Sequence, residues 1–522
     1  MAKLTKTTRS VIIAAGVLLV LGVVMMILML TKPADTEDAG SETSETVSEE
    51  ESGSIDVTDK EPENVLSLTV SNETGEYTFK RQERIVSTTD EDGNVSSETE
   101  YYWTSEEMKG LSPNDSTVTA FVRTMAGLST KESVEENAED LEKYGLENPK
   151  AEVSVSFDDG SSAKFCFGIQ NPAQTNYVYF RSADSRDVHH VSYYSCGSAF
   201  YDIRDFVNLT LTESYDSNSA QELDYLVVER KDLEEPVEIR YMFDIAEQSE
   251  DEDAIITTFN SHRFVSPITA EVDSTKGQTV CYGVYGLTMQ TCAYLEKTEE
   301  NLAATGLDDP FVTVKFKYGG NERILTLGDQ IISVTETEGD TPALTSVTGY
   351  YAAIDSAEGI YTISTSAAPW YSFTVQNIMS RRPVSPYIYT VDDIEITTPD
   401  GSFTFDVQGN ADSHTFLCNG TEVDDMKFRE LYQFLITSIG EELYFEETSE
   451  APIVTVRFKY RDEYTEVYGT DEDVLEFYES GDRKSIIRVN GTVLFKVRQV
   501  YTDRLIANVQ AVIGGGDVEL NW

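Results

Sequence analysis

The fold of this chain is decided by one alternating stretch, Val312-Thr313-Val314-Lys315-Phe316-Lys317-Tyr318. Apolar and polar side chains alternate along it without a break, which is the pattern of a β-strand with one buried face. The stretch recurs as Val454-Thr455-Val456-Arg457-Phe458-Lys459-Tyr460, in which Arg457 replaces Lys315 and every other residue is the same. A looser copy is Val153-Ser154-Val155-Ser156-Phe157. Three copies of one strand predict a repeated architecture.

In chain order, the first copy of the strand begins at Val153, the second at Val312 and the third at Val454. The first two follow the same turn, Gly145-Leu146-Glu147-Asn148-Pro149 and Gly306-Leu307-Asp308-Asp309-Pro310. Glycine fits the left-handed position that ends a helix, leucine can pack back over the last turn, and proline prevents the helix from resuming. Ser133 and Glu136 form a capping-box pattern, so we expect a helix that ends at Gly145. The third copy has Thr448 and Ser449 in place of the Gly-Leu pair. Its helix end must therefore be built differently.

The same predicted elements surround each copy of the strand. Asp159-Gly160 and Gly319-Gly320 are hairpin turns, and the strand pairs are expected to close at Gly168, Gly328 and Gly469. Each unit is predicted to open with a hairpin, at 68–80, 225–243 and 394–407, followed by a helical stretch, at 118–125, 280–285 and 428–439. Each is predicted to close with a strand, at 188–191, 360–363 and 493–497, and then a helix, at 200–206, 370–379 and 500–513. Loops are predicted at 247–253 and 333–348. The fold class is α+β, with repeat units at 64–222 and 223–391 and a divergent unit at 392–522.

An unbroken apolar run begins at Val11 and ends at Leu30, about the length that spans a ~30 Å hydrocarbon core. Three basic residues lie in the preceding segment 1–10, so the positive-inside rule places the N-terminus in the cytoplasm. A cleaved signal peptide is the alternative, but its apolar region is shorter and ends in a small-x-small site, which is missing here. Residues 31–63 are acidic and almost free of apolar side chains, which predicts a disordered tether. The expected localisation is a single-pass cell-membrane protein whose body is extracellular.

The composition is strongly acidic: 39 basic and 93 acidic residues give the 522-residue chain a formal net charge of -54. Such a surface repels phosphates and anionic headgroups, so nucleic acid is not an expected partner. We interpret the acidity as that of a solvated exported surface, with attraction of cations or of a basic partner as the alternative. The five cysteines are too few for a disulfide framework, and we interpret them as small buried apolar residues. Disulfides between Cys166 and Cys196 or between Cys281 and Cys292 are the alternative.

No motif predicts a catalytic, cofactor-binding or metal-binding residue. The four histidines, His189, His190, His262 and His414, lie outside any zinc pattern, and the adjacent pair points to opposite faces of a predicted strand. Ser161-Ser162-Ala163-Lys164 satisfies S-x-x-K, yet it enters a strand, whereas that motif needs its serine at a helix start. Asp90-Glu91-Asp92-Gly93-Asn94 has its glycine too early for a calcium loop and is predicted to be a hairpin turn. The expectation is a protein that is not an enzyme and has no cofactor.

The order of these motifs resembles the family known as domain of unknown function 4340. The resemblance lies in the apolar helix near the N-terminus, the Gly-Leu-x-x-Pro turn, the alternating strand, the hairpin closing on glycine and the Tyr-rich strands at 177–180 and 350–354. Ile203-Arg204-Asp205 is similar to the closing helix of that family. The resemblance covers most of 64–391. It implies a bacterial envelope protein, often associated with an exporter grouped with gliding-motility ABC transporters, and it assigns no role to any residue.

The leading hypothesis is a non-enzymatic extracytoplasmic interaction or scaffold protein that is accessory to an envelope complex such as an ABC-type transporter. Its partners would be the membrane, through the run from Val11 to Leu30, and an envelope protein complex. The alternative is a ligand- or cell-wall-binding ectodomain with clefts between repeats lined by tyrosine and by Trp103 and Trp370. A third hypothesis is an enzyme of unrecognised type.

Overall fold

The computed structural model describes residues 55–89, 95–130, 133–215, 223–242, 260–335, 344–410 and 412–522. The predicted tail 1–10, the apolar run from Val11 to Leu30, the acidic loop 247–253 and the turn 90–94 lie outside the described residues. Within these ranges, no helix has both the length and the apolar character needed to cross a membrane.

The first sheet has eight antiparallel strands in the order β4-β3-β2-β7-β8-β9-β10-β6. Strands β1 and β5 form a separate two-stranded sheet. The bounds are β1 Ile55–Asp56, β2 Val65–Asn72, β3 Gly75–Thr89, β4 Val95–Thr104, α1 Asp115–Ala126, β5 Ser129–Thr130, β6 Ser133–Glu135, β7 Ala151–Phe157, β8 Ser162–Asn171, β9 Gln174–Ser182, β10 Val188–Ser192 and α2 Tyr193–Cys196.

The second sheet has nine strands in the order β14-β13-β12-β11-β16-β17-β18-β19-β15. The bounds are β11 Leu223–Arg230, β12 Val237–Tyr241, β13 His262–Ser266, β14 Ala270–Glu271, α3 Gln278–Tyr282, β15 Thr291–Tyr294, α4 Glu299–Ala304, β16 Val312–Tyr318, β17 Asn321–Thr335, β18 Leu344–Ile354, β19 Ile360–Ser364 and α5 Val375–Ile378.

The third sheet has nine strands in the order β23-β22-β21-β20-β25-β26-β27-β28-β24. The bounds are β20 Val391–Thr398, β21 Gly401–Gly409, β22 His414–Cys418, β23 Thr421–Glu422, α6 Asp425–Ile436, β24 Glu442–Leu443, β25 Val454–Tyr460, α7 Thr465–Tyr468, β26 Glu472–Glu479, β27 Lys484–Val489, β28 Thr492–Arg498 and α8 Gln499–Ile513.

The three sheets share one strand order, except that the first lacks a counterpart of the edge strands β14 and β23. The alternating stretch lies in the centre of each sheet. Strands β7, β16 and β25 pair with the first strand of the opening hairpin, β2, β11 and β20 respectively. The apolar residues of the alternating stretch are buried in every copy, since one face of each sheet packs on the core. The α+β fold class is confirmed: mostly antiparallel sheets with a few short helices.

The Gly-Leu turn is built as predicted in the first two sheets. Gly145 and Gly306 both have φ of 67°, and Leu146 and Leu307 donate their backbone N–H to a residue of the preceding turn at 2.9 Å. A Cβ on Gly168 would lie 2.1 Å from the carbonyl oxygen of Tyr144, just before the turn. The corresponding distance for Gly328 is 2.2 Å, to the carbonyl oxygen of Thr305. The turn therefore lies directly on the glycine of the strand that pairs with the central strand, Gly168 in β8 or Gly328 in β17.

The third sheet corrects the prediction that its strand pair closes at Gly469. Ala151 pairs with Phe167 and Val312 pairs with Leu327, so in the first two sheets a glycine follows the paired residue. In the third sheet Val454 pairs with Phe477, and the next residue is Tyr478. Gly469 instead ends helix α7 at φ 68°, inside a longer connection. A side chain fits at Tyr478 because the Gly-Leu turn is missing from this copy.

The prediction of a helix after Ser133 is also wrong. Ser133–Glu135 is the edge strand β6, which pairs with β10, and only a short 3-10 helix, Glu142–Tyr144, precedes Gly145. Pairing with a sheet edge overrode the local capping signal. In the second sheet the helix does form, as α4, where the side chain of Thr298 accepts a hydrogen bond from the Asn301 N–H.

Two predicted irregular segments are more ordered than expected. The loop at 333–348 is occupied at both ends by β17 and β18, which pair as far as Thr335 and Leu344. The tether was predicted to extend to residue 63, yet Ile55 pairs with Thr130 and Val57 packs against the core. A single valine and backbone pairing are enough to hold this segment once a folded surface is present.

The closing helices differ between the sheets. The predicted helix at 200–206 is replaced by 3-10 helices Gly197–Phe200 and Ile203–Phe206, and that at 370–379 by Pro369–Tyr371 and α5. The predicted helix at 500–513 is the long α8. One connected cluster of buried apolar side chains extends from Val65 to Val512 and includes residues of all three sheets. The described residues from Ile55 to Trp522 form one compact unit.

Candidate functional site: the junctions between the sheets

The segments that lead into the first and second sheets are fixed by the same pair of hydrogen bonds. The Thr58 hydroxyl donates to the Met125 carbonyl at 3.1 Å and accepts from the Leu128 N–H at 3.2 Å. The Thr212 hydroxyl donates to the Val284 carbonyl at 2.7 Å and accepts from the Leu287 N–H at 2.8 Å. In both cases the entering chain lies on the end of the helix of its sheet or on the residues just after it.

An arginine from each preceding sheet reaches the edge of the next. Nη1 of Arg204 donates to the carbonyl of Ala293 in edge strand β15 at 2.8 Å. Nη1 of Arg381 donates to the carbonyl of Glu441, beside edge strand β24, at 2.6 Å. Edge strands carry carbonyls without a neighbouring strand, so these guanidinium groups cover part of an exposed edge.

Arg204 is itself held in place by the closing segment that the sequence singled out. The Asp202 carboxylate accepts from its Nε at 2.8 Å and from its Nη2 at 3.2 Å. Burial acts to raise the pKa of Asp202, but the hydrogen bonds from Arg204 hold that pKa below its ordinary value. The carboxylate therefore stays charged and orients the guanidinium toward the second sheet.

The second junction contains a buried ion pair between sheets. Arg263 in β13 is 2 % exposed and Asp473 in β26 is 0 % exposed. Nη1 of Arg263 donates to Oδ2 of Asp473 at 2.7 Å, and Nη2 donates to Oδ1. The same carboxylate accepts from the Tyr460 hydroxyl and from Nδ2 of Asn490, the latter at 2.6 Å. Such a bidentate pair with extra donors is the geometry that a buried carboxylate requires.

The pair is charged in the folded state. Burial acts to raise the pKa of Asp473, but the Arg263 charge and the donated hydrogen bonds keep that pKa below its ordinary value. Burial acts to lower the pKa of Arg263, and the Asp473 charge raises it above the ordinary value. Each group compensates for the desolvation of the other.

A second buried carboxylate, Glu271 in β14, fastens the linker between the second and third sheets. It accepts from the Ser385 hydroxyl at 2.7 Å and from Nδ2 of Asn260 at 2.7 Å. That amide also donates to the Ser380 hydroxyl at 3.1 Å. Burial raises the pKa of Glu271 in spite of these bonds. Ser385 is therefore tied to the second sheet through Glu271, and Ser380 through the Asn260 amide that Glu271 holds.

The junction groups are enclosed, and their hydrogen bonds are mostly made to each other. His262, next to Arg263, is 4 % exposed, and burial lowers its pKa to about 4. In the described part of the chain, no group of three or more His, Cys, Asp or Glu side chains is arranged to hold a metal ion. The arrangement is suited to fixing the relative positions of the sheets.

The residues considered from the sequence lie apart. His189 and His190 lie on strand β10 of the first sheet, where His189 packs against Phe180 with tilted rings and His190 stacks on Tyr177. His262 belongs to the second sheet, and His414 bonds to Asp425 at 2.9 Å in the third. Ser162 begins strand β8, as the interpretation of the S-x-x-K motif required. The five cysteines are buried, which confirms that prediction, and none of them forms a disulfide in the structure.

The two tryptophans proposed to line a cleft are buried instead. Trp103 is 5 % exposed and donates from Nε1 to the Thr119 hydroxyl at 3.0 Å. Trp370 is fully buried and donates from Nε1 to the Val280 carbonyl at 3.0 Å. The ion pair was not found from the sequence. Its only local signal is a charged residue on a buried strand, and the partners are 210 residues apart.

Comparison with known proteins gives one match. Residues 103–261 match the family model described as Domain of unknown function (DUF4340), which confirms the family resemblance within these residues. The match begins at Trp103 in β4 of the first sheet and ends at Ser261, just before β13 of the second. No curated protein and no solved structure matches the chain.

Proposed function

We propose that this chain, a member of the DUF4340 family through residues 103–261, is a non-enzymatic scaffold or interaction protein of the cell envelope. The run from Val11 to Leu30 anchors it in the membrane with the N-terminus in the cytoplasm, and the three sheets lie outside. Its partner is an envelope protein complex, such as an ABC-type transporter. Support for this location comes from the apolar run, the preceding basic residues and the acidic composition.

The buried junction between the second and third sheets carries the scaffold proposal. Interfaces between domains of one chain are usually small and polar, and they permit relative motion. Here a connected apolar core and the Arg263–Asp473 pair resist such motion. A partner that contacts two sheets would then bind surfaces already held at a fixed distance, with less entropy lost on association.

The perturbed titratable groups favour this function over catalysis. Strongly shifted pKa values often indicate an active site, because catalytic groups need them. Here the shifted groups Arg263, Asp473 and Glu271 are almost fully buried and bonded to each other or to linker serines. Their shifts are accounted for by packing between the sheets.

Co-purification tests the proposal. The tagged full-length protein would be extracted in several mild detergents, and associated membrane proteins identified by mass spectrometry. We expect an envelope complex to co-purify with the wild type and less of it with Asp473→Asn, which weakens the junction. Asp471→Asn is the matched control, because Asp471 is exposed and lies two residues away. Failure to recover any membrane partner in every detergent would overturn the proposed association.

Protease treatment of intact cells tests the orientation. We expect added protease to remove the body while leaving the segment around the apolar run. Complete protection of the body, with cleavage after the membrane is permeabilised, would place it inside the cell and contradict the proposal.

A further inference from the structure

A cavity of about 300 Å³ lies in the first sheet, between the turn after β2 and the segment that contains α2. This volume is at the lower end of the range of about 300–1,000 Å³ typical of small-molecule sites. Its lining includes Glu73, Lys150, Gln170, Val178, Tyr193 and Phe200.

The equivalent place in the second sheet is filled by aromatic rings. Lys150 and Phe311 both precede the central strand, β7 and β16 respectively. Gln170 in β8 and Gln330 in β17 each lie two residues after the glycine of their strand, Gly168 or Gly328. Gln170 pairs with Val178, and Gln330 pairs with Tyr350. Tyr350 stacks on Tyr371 with ring centroids 3.7 Å apart, and Phe311 lies 4.7 Å from the same ring. The first sheet has smaller or flexible side chains at these positions, so the space stays open.

The walls of the cavity are fixed by contacts within the protein. Nδ2 of Asn72 donates to the carbonyls of Ala199 and Tyr201 at 3.0 and 2.9 Å, and its Oδ1 accepts from the N–H and hydroxyl of Thr74. These bonds join the turn after β2 to the opposite wall. The ring of Tyr193 stacks on Phe200, with centroids 5.9 Å apart. A preformed cavity loses less conformational entropy when it binds a ligand.

Three polar side chains at this cavity are not used by the fold, unlike Asn72 and Thr74. In the described part of the chain, the side chains of Lys150, Gln170 and Glu73 make no ion pair or hydrogen bond. All other described lysines except Lys109 do have such a partner. Acidic residues outnumber basic ones by 93 to 39, so a lysine left without a carboxylate is unusual here.

We propose that this cavity binds a saccharide that carries a carboxylate. The Tyr193 ring offers an apolar face for the C–H groups of a sugar ring. The Gln170 amide can donate to and accept from hydroxyl and amide groups, and the Glu73 carboxylate can accept from them. The Lys150 ammonium pairs with the ligand carboxylate, a charge-assisted contact that an uncharged sugar cannot make. The proposal is independent of the scaffold function and of its membrane partner.

Calorimetry on the purified full-length protein in detergent tests this site, with N-acetylmuramic acid as the probe. N-acetylglucosamine is the matched sugar, since it has no carboxylate. We expect the acid to bind about tenfold more tightly, and its affinity to fall as salt is raised. Equal binding of the two sugars, or no binding of the acid, would overturn the proposal.

Two variants locate the binding. Lys150→Gln should reduce the affinity for the acid to that of the uncharged sugar. Lys109→Gln, at the other described lysine without a hydrogen-bond or ion-pair partner, should leave it unchanged. Val178→Tyr places in the first sheet the residue that the second sheet has, and should abolish binding of both sugars. Near-ultraviolet circular dichroism checks that the variants are folded. If Val178→Tyr does not fold, the result for Lys150→Gln decides whether the ligand binds in this cavity. Undiminished acid binding by Lys150→Gln would show that the site lies elsewhere.

Discussion

Replacing Arg263 with leucine should destabilise the junction between the second and third sheets more than any exposed substitution. The change removes two hydrogen bonds to Asp473 and leaves a carboxylate that is 0 % exposed. Tyr460 and Asn490 still donate to it, but its opposite charge is gone. Loss of one partner of a buried ion pair costs about 3–5 kcal/mol, because the remaining charge stays desolvated.

The cost should depend on pH in a defined direction. In the wild type the pKa of Asp473 is lowered, so its contribution to stability is present above its unfolded pKa and is lost as pH falls through the folded pKa. Without Arg263, burial dominates and the pKa of Asp473 rises above its unfolded value, about 3.9. The variant then loses stability as pH rises from that value. We therefore expect its deficit relative to wild type to be larger at pH 7 than at pH 4.

Tryptophan fluorescence during urea unfolding can measure the effect sheet by sheet. The three tryptophans of the chain are distributed one to each sheet region: Trp103 in β4, Trp370 after β19, and Trp522 packed edge-to-face against Tyr501 of α8. Proteins that keep one tryptophan and have phenylalanine at the other two report each region separately. The Trp370 and Trp522 transitions should shift to lower urea together, and the Trp103 transition should shift least.

A double-mutant cycle provides the control. Arg263→Leu with Asp473→Leu leaves no isolated charge, so its loss of stability should be smaller than the sum of the two single losses. The reasoning is refuted if the Arg263→Leu deficit is under about 1 kcal/mol at pH 7, since exposed ion pairs are worth no more than that. It is also refuted if the deficit is the same at pH 4.

Three further predictions concern stability and reactivity. Gly168→Ala should destabilise the first sheet by about 1–3 kcal/mol, because its Cβ would lie 2.1 Å from the Tyr144 carbonyl oxygen; Gly127→Ala, with its nearest atom at 3.8 Å, should be tolerated, and equal melting temperatures would contradict this. Burial lowers the pKa of His262 to about 4, so the unfolded state binds more protons between that value and about 6.5, and stability should fall as pH falls through this window. His262→Gln should flatten that dependence in pH-resolved urea titrations, and an unchanged slope would assign it to other groups. The five buried cysteines should react with a thiol reagent only after unfolding; burial raises the pKa of Cys281 to about 12, and rapid labelling of native protein would contradict the packing.

Much of each sheet could be predicted because its signals are local. The stretch from Val312 to Tyr318 alternates at the period of a strand, and Gly306 permits a backbone conformation that other residues rarely adopt. Hairpins with short turns add only neighbouring residues to these signals. The repeated motifs therefore predicted the central strands, the hairpin pairs and the family match.

The failures occurred where distant contacts decide the outcome. Ser133 and Glu136 have a helix-start pattern, but the free edge of β10 made that segment a strand. Gly469 has the expected spacing, but the pairing of Val454 with Phe477 moved the equivalent position to Tyr478. Local propensity is worth a few tenths of a kcal/mol per residue, whereas sheet pairing and burial are worth more.

The sequence by itself therefore determined the repeated strand, its turns and the acidic character of the chain, because these depend on neighbouring residues or on composition alone. Only the tertiary structure decided the junctions and the cavity. Arg263 and Asp473 meet across 210 residues, and nothing near either one specifies the other. The cavity beside Lys150 exists because Val178 is smaller than Tyr350, which lies at the equivalent position of the second sheet. The strand pairing of the two sheets is needed to show that these positions are equivalent.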